Sequence, residues 1–584
     1  MNKKQVANIL EEIATLLEIK GENPFKSRAY QNAARTLLAL SVDVKELVET
    51  DEIGNIKGIG TALAQKITEL VTTGKLQYYE ELKASIPDGL LEMTRIPGLG
   101  PKKIKKMYDD LGIKTLSELE YACQENRLVD LAGFGAKTQE KILQGIAFVK
   151  KHKERHLFHH AEAAAKPLFE AVSNHPKVIR ASLGGSLRRK KETVKDIDIV
   201  ASAKEEHCQE IMDFFTTQPE VEVVTGKGPT KSSVRLKSGI NADLRLMPDE
   251  KFPYILHHFT GSAEHNTAMR SLARKQGLKV SEHGLFRNET ELIPCQDEQE
   301  IFAALGLAYI PPELREDTGE IEAAARNAIP QLVEPADIKG ILHCHSTFSD
   351  GTNSIEEMAR ATKEMGYEYF GLCDHSQSVY YARGLAPERL LEQQATIDEL
   401  NEKMQGFKIF KGTECDIMID GTLDYPDEIL ATFDFVVISV HSKLNMTQPE
   451  ATERIIKAMQ NPYVTILGHP TGRLLLGREG YPVDMPAIID AAAEYHVAIE
   501  LNASPYRFDI DWRYCKYAKE KGVKISINPD SHSVEGLTDV NYGVGIARKG
   551  WLEKGNILNT LSRMEIEEYF SQNRRRKQAG GHAH

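Results

Sequence analysis

Ile341-Leu342-His343-Cys344-His345-Ser346-Thr347-Phe348-Ser349-Asp350 opens the C-terminal part of a 584-residue chain. A short apolar run ends in two histidines at alternate positions, and an aspartate follows in the next loop. At strand period the two imidazoles share a face and Cys344 points the other way. The pattern then recurs. Tyr369-Phe370-Gly371-Leu372 precedes His375, Lys408-Ile409-Phe410 precedes Glu414, and Phe435-Val436-Val437-Ile438 precedes His441. Val464-Thr465-Ile466-Leu467 precedes His469, and Val523-Lys524-Ile525-Ser526-Ile527 precedes Asp530 and His532. From Val497-Ala498-Ile499, which runs on to Glu500-Leu501-Asn502, no ligand is expected, although Asn502 faces the substrate side. A single histidine of this kind is usually a packing or surface residue. Nine imidazoles and carboxylates at the same point of successive strand units imply a multinuclear metal site.

Working outward, helix-like stretches lie between most of these strands: Ile355 to Met365, Pro387 to Met404, Gln448 to Gln460 and Met485 to Tyr495. Strand alternating with helix implies a parallel sheet, and seven units with inward ligands imply a closed or nearly closed barrel. Cys344, Cys373 and Cys415 neighbour ligands and are expected to face the outer layer as small core residues.

A chain of this length needs several cores. Seven cysteines without a CxxC pair suit a reducing cytosol. No apolar stretch approaches a membrane span and the N-terminus lacks a signal-peptide pattern, so a cytoplasmic protein with no membrane partner is expected. The net charge of −12 is uneven: residues 1–339 carry 47 basic and 50 acidic side chains, and 340–584 carry 26 and 35. Local stripes, not the total, decide nucleic-acid binding.

The N-terminal third carries a repeat. Ile56-Lys57-Gly58-Ile59-Gly60, Ile96-Pro97-Gly98-Leu99-Gly100 and Leu131-Ala132-Gly133-Phe134-Gly135 share the form apolar-x-Gly-apolar-Gly, each before a helical stretch. This is the helix-hairpin-helix signature, in which the glycines let backbone N–H groups approach a DNA phosphate without reading a base. Lys102, Lys103, Lys105 and Lys106 add a basic face after the second hairpin.

In the middle segment, Gly185-Ser186 precedes Asp196-Ile197-Asp198, the pattern of nucleotidyltransferases. Carboxylates at i and i+2 lie on one strand face, and Asp243 in Asn241-Ala242-Asp243-Leu244-Arg245 is the expected third ligand of a site for two Mg²⁺ ions. Ser186 and Arg189 are placed to grip phosphate oxygens.

His258-Phe259-Thr260-Gly261-Ser262, followed by His265-Asn266 and Arg270, resembles the nucleotide-pocket motif of family X DNA polymerases. With Asn23-Pro24-Phe25, Arg28-Ala29-Tyr30, the hairpins and the carboxylate triad, the likeness covers residues 1 to 316; the rest resembles a PHP metal-dependent phosphoesterase domain. The resemblance implies a multidomain α+β and α/β chain. Its parts would be a lyase-like helix-hairpin-helix domain (1–85), fingers (86–150), a nucleotidyltransferase palm (151–255), a thumb (256–316), a linker (317–338) and a (β/α)7 barrel (339–575). It implies a monomeric gap-filling polymerase of base excision repair, acting on gapped or primed duplex DNA with deoxynucleoside triphosphates.

Carried over residue by residue, Asp196, Asp198 and Asp243 would be catalytic. Ser186 and Arg189 would contact the triphosphate, Phe259 and Gly261 the sugar, Asn266 the minor-groove edge of the base, and Arg270 the templating position. His258 stands where relatives carry tyrosine, Asn241 replaces an arginine, and Ala263 and Thr267 replace larger side chains. Lys66 matches the family's lyase lysine and Lys26 a phosphate-contacting one, whereas Ala62 replaces a further lysine. In the barrel the resemblance implies three ions, Mn²⁺ or Zn²⁺ (Fe²⁺ also suits), with Mg²⁺ less suited to so many imidazoles. His343, His345, Glu414 and Asp530 would hold the first; Glu414 would bridge to a second on His441 and His469; Asp350, His375 and His532 would hold the third. Water activated there would give a 3′–5′ exonuclease and an apurinic-site endonuclease, with Arg473 and Lys443 holding the phosphate. Two other readings are a barrel that only stabilises the fold, and a small-molecule phosphoesterase with a DNA-binding front half. Asp317 to Pro335 reads as a helix or semi-rigid connector, and Arg574-Arg575-Arg576-Lys577 as a solvated terminus.

Overall fold

Seven parallel strands follow Gly340 in simple sequential order: Gly340–Cys344, Tyr369–Leu372, Lys408–Asp416, Phe435–Ser439, Ile466–Leu467, Ala498–Asn502 and Ile525–Asn528. They come from a computed structural model that describes residues 1–584 apart from 39, 41, 125–127, 129, 130, 132, 153, 154, 289, 477, 478 and 581–584. The sheet curls nearly shut. Cys344 and Ser531 form one parallel bridge between the first strand and the turn after the last. The helices Ile355–Glu364, Pro387–Lys403, Gln448–Met459 and Met485–Glu494 fall where the apolar periodicity placed them.

Side-chain alternation, broken in the first strand by a register shift between Ile341 and Cys344 where His343 has φ of +57°, sorts the barrel into two layers. Phe370, Leu372, Ile409, Cys415, Val436 and Ile438 pack outward against the helices, while Leu342, Tyr369, Phe410, Phe435, Val437 and Ile466 fill the interior. Cys344 and Cys415 lie in the outer layer as expected, but Cys373 lies in the inner one. The reason is its spacing: Cys373 is two residues before His375 and so shares its face. The last helix, Arg563–Gly580, brings Ile566 and Phe570 into the interior, with Phe570 stacked on Phe435 at 5.1 Å. Those partners begin their strands, so this helix plugs the N-terminal end and leaves the opposite rim to the ligands. Arg574 is docked as well, donating to the carbonyls of Ala431 and Phe433, which corrects the solvated reading for that residue. The side chains of Arg576 and Lys577 lie outside the described residues.

The palm is a five-stranded sheet in the order Val178–Leu183, Asp196–Ala203, Asn241–Met247, Lys231–Leu236, Val221–Lys227. Only Asp196–Ala203 and Asn241–Met247 run parallel. The thumb adds helices Phe252–Thr260 and Ala263–Lys275 and a three-stranded sheet. Segment 317–338 contains the helix Glu320–Ala325 and is docked, with Val333 N donating to Leu552 O. The chain divides into two compact units, Met1–Glu154 and Arg155–His584. Within the second, palm and barrel share one apolar cluster, and Phe158 meets Tyr542 edge-on at 5.9 Å.

The first unit is helical. Lys3–Lys20 starts on an Asn2 capping box and packs Leu10, Ile13 and Leu17 against Ala33, Ala34 and Leu37 of Pro24–Leu38. The first glycine of each hairpin, Gly58, Gly98 and Gly133, has φ of +97°, +78° and +91°, a conformation that side chains resist. Gly60 and Gly100 begin the helices Thr61–Thr73 and Pro101–Leu111. Ala132 of the third hairpin lies outside the described residues.

Candidate metal centres and nucleotide pocket

Glu414 occupies the centre of the barrel rim because its strand, the longest of the seven, runs from Lys408 to Asp416 and turns the carboxylate inward. Five imidazoles surround it. His375 Nδ1 lies 2.8 Å from one oxygen, His469 Nε2 2.9 Å, His441 Nε2 3.2 Å and His343 Nε2 3.5 Å from an oxygen, and His345 Nε2 3.7 Å. His343 and His345 also reach Asp530 at 3.6 and 3.1 Å, while His375 and His532 reach Asp350 at 3.5 and 3.3 Å. All nine residues selected in the sequence are thus brought together: eight fall in overlapping groups of three and four whose ligand atoms could share an ion, and His469 joins them through Glu414.

The electrostatics suit cations. Burial alone would raise the Glu414 carboxyl, but His441, His375 and His343 hold it well below the usual carboxylate range. The same opposition, burial against His343 and His345, depresses Asp530. His345 is pushed down to about 3 by burial and by its neighbours His532 and His375, so it stays neutral and keeps one ring nitrogen free to ligate. His375 Nδ1 and Glu414 Oε2 are 2.8 Å apart, yet neither makes a hydrogen bond of acceptable angle. Buried polar atoms that face one another without bonding are what a metal's ligands look like. The residues fit the group.

Three carboxylates that the ligand pattern passed over support the rim. Glu500 is fully buried, bonds His343 Nδ1 at 2.5 Å, and accepts from His469 N, Asn502 Nδ2 and Asn528 Nδ2. Such a carboxylate fixes ring orientation and tautomer. Its signal was available, since a glutamate sits two residues before Asn502 on an apolar strand. Asp416 bonds His441 N and lies 3.4 Å from its Nδ1. Asp374 accepts from Ser346 and Ser349 and so braces the loop that carries Asp350. Asn502 also donates to Asp530 Oδ2, so its amide braces ligands. Arg473 is not poised over the rim: its guanidinium is committed to Asp511 and to the carbonyls of Arg507 and Phe508. Arg507, which the pattern did not select, lies 4.0 Å from Asp530, and Lys443 is exposed nearby in sequence to His441.

In the palm, parallel register sets Asp198 opposite Asp243 and Asp196 opposite Asn241. Asp198 lies directly under the Gly185–Ser186 turn. A Cβ on Gly185, where φ is +60°, would meet Asp198 Oδ2 at 2.3 Å. Burial, then Asp196 and Asp243, push the Asp198 carboxyl up to about 6, and Lys231 relieves the cluster with its ammonium 2.6 Å from Asp243 Oδ2. One cavity is lined by Ser186, Arg189, Asp196 and Asp198 on its palm side and by Phe259, Gly261, Asn266 and Arg270 on the other. Arg155, Lys191 and Lys195, scattered in sequence, complete a basic wall that the motif reading missed.

Two of these side chains have commitments of their own. Asn266 Nδ2 donates to the carbonyls of His258 and Gly261, and a Cβ at Gly261 would stand 2.6 Å from its Oδ1. Arg189 donates from Nε to Glu316 and from Nη1 to Thr260 O. His258 Nε2 pairs with Glu282 at 3.2 Å. In the helical unit, space is open around Gly60, Gly98, Gly100, Gly133 and Gly135, and nearest to Gly58 is Thr36 Oγ1 at 3.5 Å. Lys105 and Lys106 are partly neutralised by Asp109 and Asp110. Lys66 lies over the Tyr78 ring at 4.6 Å, and Tyr78 stacks on Tyr30.

Family models match four segments: a helix-hairpin-helix domain at residues 1–76, a SAM-like helix-hairpin-helix tandem at 90–147, the DNA polymerase beta thumb at 255–316 and a PHP domain at 342–504. The DNA polymerase/3′-5′ exonuclease PolX of Bacillus subtilis (strain 168) is 41% identical over 576 residues, 98% of this chain and 100% of the relative. A probable phosphatase of Thermoanaerobacter sp. (strain X514) is 30% identical over 252 residues, 41% of this chain and 98% of the relative. Another from Caldanaerobacter subterraneus subsp. tengcongensis is 28% identical over 251 residues, 40% of this chain and 91% of the relative.

Proposed function

We propose that this chain, which belongs to the bacterial family X DNA polymerases with a C-terminal PHP phosphoesterase domain, fills short gaps in damaged DNA and trims the ends it works on. It is a DNA polymerase and a 3′–5′ exonuclease. The repair setting, an additional cut at apurinic sites and the residue assignments below are our reading. The observation that carries it is that one chain holds both the Asp198–Asp243 register under a glycine turn and a rim of nine candidate ligands with Glu414 at its centre.

In the palm, Asp196, Asp198 and Asp243 would hold two Mg²⁺ ions, which supply charge neutralisation for the triphosphate and acidify the primer hydroxyl. The protein's own part is positional. The Gly185 turn brings the Ser186 hydroxyl and backbone over the carboxylates, and the basic wall of Arg155, Lys191 and Lys195 offsets the phosphates. Phe259, held flat by the Arg245 guanidinium 3.8 Å above its ring, and the Cβ-free Gly261 leave room for the sugar. Asn266 is pre-set by its two carbonyl contacts, so little ordering is needed when a base arrives. The His258–Glu282 pair stands beside the sugar site, and replacing the imidazole with the phenol of His258→Tyr is expected to strengthen rejection of ribonucleotides. Equal ribo- and deoxynucleotide use by both proteins would refute that.

In the barrel, the nine rim residues would hold three ions, Mn²⁺ or Zn²⁺, whose chemistry is activation of water and stabilisation of a leaving oxygen. Glu500 and Asp416 orient His343 and His441, and Asp374 keeps the Asp350 loop in reach. Lys66 remains our candidate for a lyase step. The open hairpin glycines would let backbone N–H groups meet phosphates, so DNA affinity should fall steeply with salt and vary little with sequence.

The test is a paired assay on one gapped duplex. Asp198→Ala should lose primer extension and keep degradation; His343→Ala should do the reverse. If both activities fall in both proteins, the two-centre reading fails. If His343→Ala still degrades DNA, the barrel is structural. If it loses only hydrolysis of small phosphoesters, the probable-phosphatase relatives are the better guide to the barrel.

A further inference from the structure

One buried lysine ties the nucleotide turn of the palm to the barrel. Lys549 ends the barrel helix Val540–Lys549 and is fully buried. Its ammonium donates to Glu316 Oε1 at 2.5 Å, to the Arg189 carbonyl at 3.2 Å and to the Glu313 carbonyl at 3.3 Å. An ammonium has three protons, so its capacity is filled. Glu316 closes the thumb segment and also accepts from Arg189 Nε at 2.9 Å, with Lys191 Nζ 3.7 Å from its second oxygen. Arg189 then donates to the carbonyl of Thr260 at 2.9 Å, the residue before Gly261. A side chain from the barrel therefore holds the backbone on the phosphate side of the pocket. Through one carboxylate it also bears on the sugar side.

Stability alone does not account for such an arrangement. Taking a lysine fully out of water is costly, and a well-packed apolar residue would serve the interface as well or better. Charge offers a reason. Three cations, Lys549, Arg189 and Lys191, stand around the carboxylate of Glu316, and the further carboxylate that acts on Lys549, Glu192, is paired with Arg513, which leaves a surplus of positive charge beside the cavity. Without Lys549, Glu316 would be balanced by Arg189 and Lys191 alone, would hold Arg189 more tightly, and the potential offered to a triphosphate would drop. Burial holds the Lys549 ammonium down to about 8 against the pull of Glu316, which keeps it mostly protonated at neutral pH.

We propose that Lys549 is a positioning residue for nucleotide addition, by which the barrel sets the Arg189–Glu316 pair and so the affinity of the palm for the incoming triphosphate. The inference rests on the polymerase reading above. It adds that the nuclease barrel is a working part of the polymerase site, independently of any metal on its rim.

The experiment measures kcat and KM for single-nucleotide insertion into a gapped duplex by the full-length protein, with degradation of single-stranded DNA as an internal control. Lys549→Met should raise KM for the nucleotide about tenfold and leave kcat within about twofold, the mark of lost ground-state binding. Its nuclease activity should match the wild type. Lys549→Arg, which keeps the charge, should restore most of the affinity. If Lys549→Met does not fold, Lys549→Gln should show the same KM-selective change. An unchanged KM in a folded variant overturns the inference. So does a parallel loss of extension, degradation and melting temperature, which would mark a purely structural lysine. A wild-type protein that inserts no nucleotide would instead sink the polymerase reading itself.

Discussion

Glu414 meets five imidazoles, but Glu500 is the more instructive carboxylate because it touches no substrate space. It fixes one ring nitrogen of His343 and the backbone of His469. Glu500→Gln should therefore leave the ligand set intact and lower metal affinity by about 10- to 100-fold. Titrating the chelated protein with Mn²⁺ while following DNA degradation checks this; activity that returns at the same ion concentration as in wild type would refute it. Asp198 gives a pH prediction. Its carboxyl is raised from the ordinary 3.8 to about 6 by burial, Asp196 and Asp243. Between those values the folded protein keeps a proton that the unfolded chain has lost, so this group's contribution to stability falls as pH rises through the window. Mg²⁺ binds the ionised form. Thermal unfolding should accordingly show a larger Mg²⁺-induced rise near pH 7 than near pH 5, and equal shifts at both would remove Asp198 from the ion site.

At the scale of elements, the Gly185 turn and the C-terminal plug carry separate predictions. In Gly185→Ala the new Cβ would collide with Asp198 Oδ2 at a φ that alanine resists. Primer extension should be lost while degradation persists, and normal extension would mean the turn has slack. Phe570→Ala removes a ring packed on Phe410 and Phe435 inside the barrel. The expected cost is about 3–5 kcal/mol, read by denaturant unfolding. These elements also show what a sequence discloses. The barrel was legible because six of its seven strands pair an apolar run with one or two ligands, and Tyr369–Leu372 emerged with the expected bounds. The carboxylate triad was legible because strand period puts Asp196 and Asp198 on one face. Arg155, Lys191 and Lys195 were not, since basic residues scattered along the chain carry no period and only the folded cavity gathers them. The commitment of Arg473 to Asp511 was hidden for a related reason: a guanidinium after a histidine reads as a phosphate ligand until its neighbours are known. Cys373 was misplaced by a lapse of parity, because residues two apart share a face.

At the scale of the molecule, the cluster shared by palm and barrel predicts a single cooperative transition for Arg155–His584. Calorimetry should show one peak for that unit, and a fragment ending before Gly340 should be poorly soluble, since the apolar residues that meet the barrel would face water. Two peaks, or a soluble and fully active fragment, would contradict it. Stabilising ions at the rim should then raise the melting point of the palm as well, by mass action on one folded state.

The shared core also bears on descent. A domain joined by a linker can be gained, shuffled or dropped by one genetic event, because nothing beneath it needs repair. Here the barrel is seated on the palm through Phe158, Tyr542 and a lysine that occupies the polymerase's own charge network. Deleting it would expose apolar surface and strip a counterion in the same step. A lineage with no further use for the nuclease is therefore freer to erode the nine ligands one at a time than to discard the barrel. Loss of that chemistry should be recorded in point substitutions around an unbroken fold.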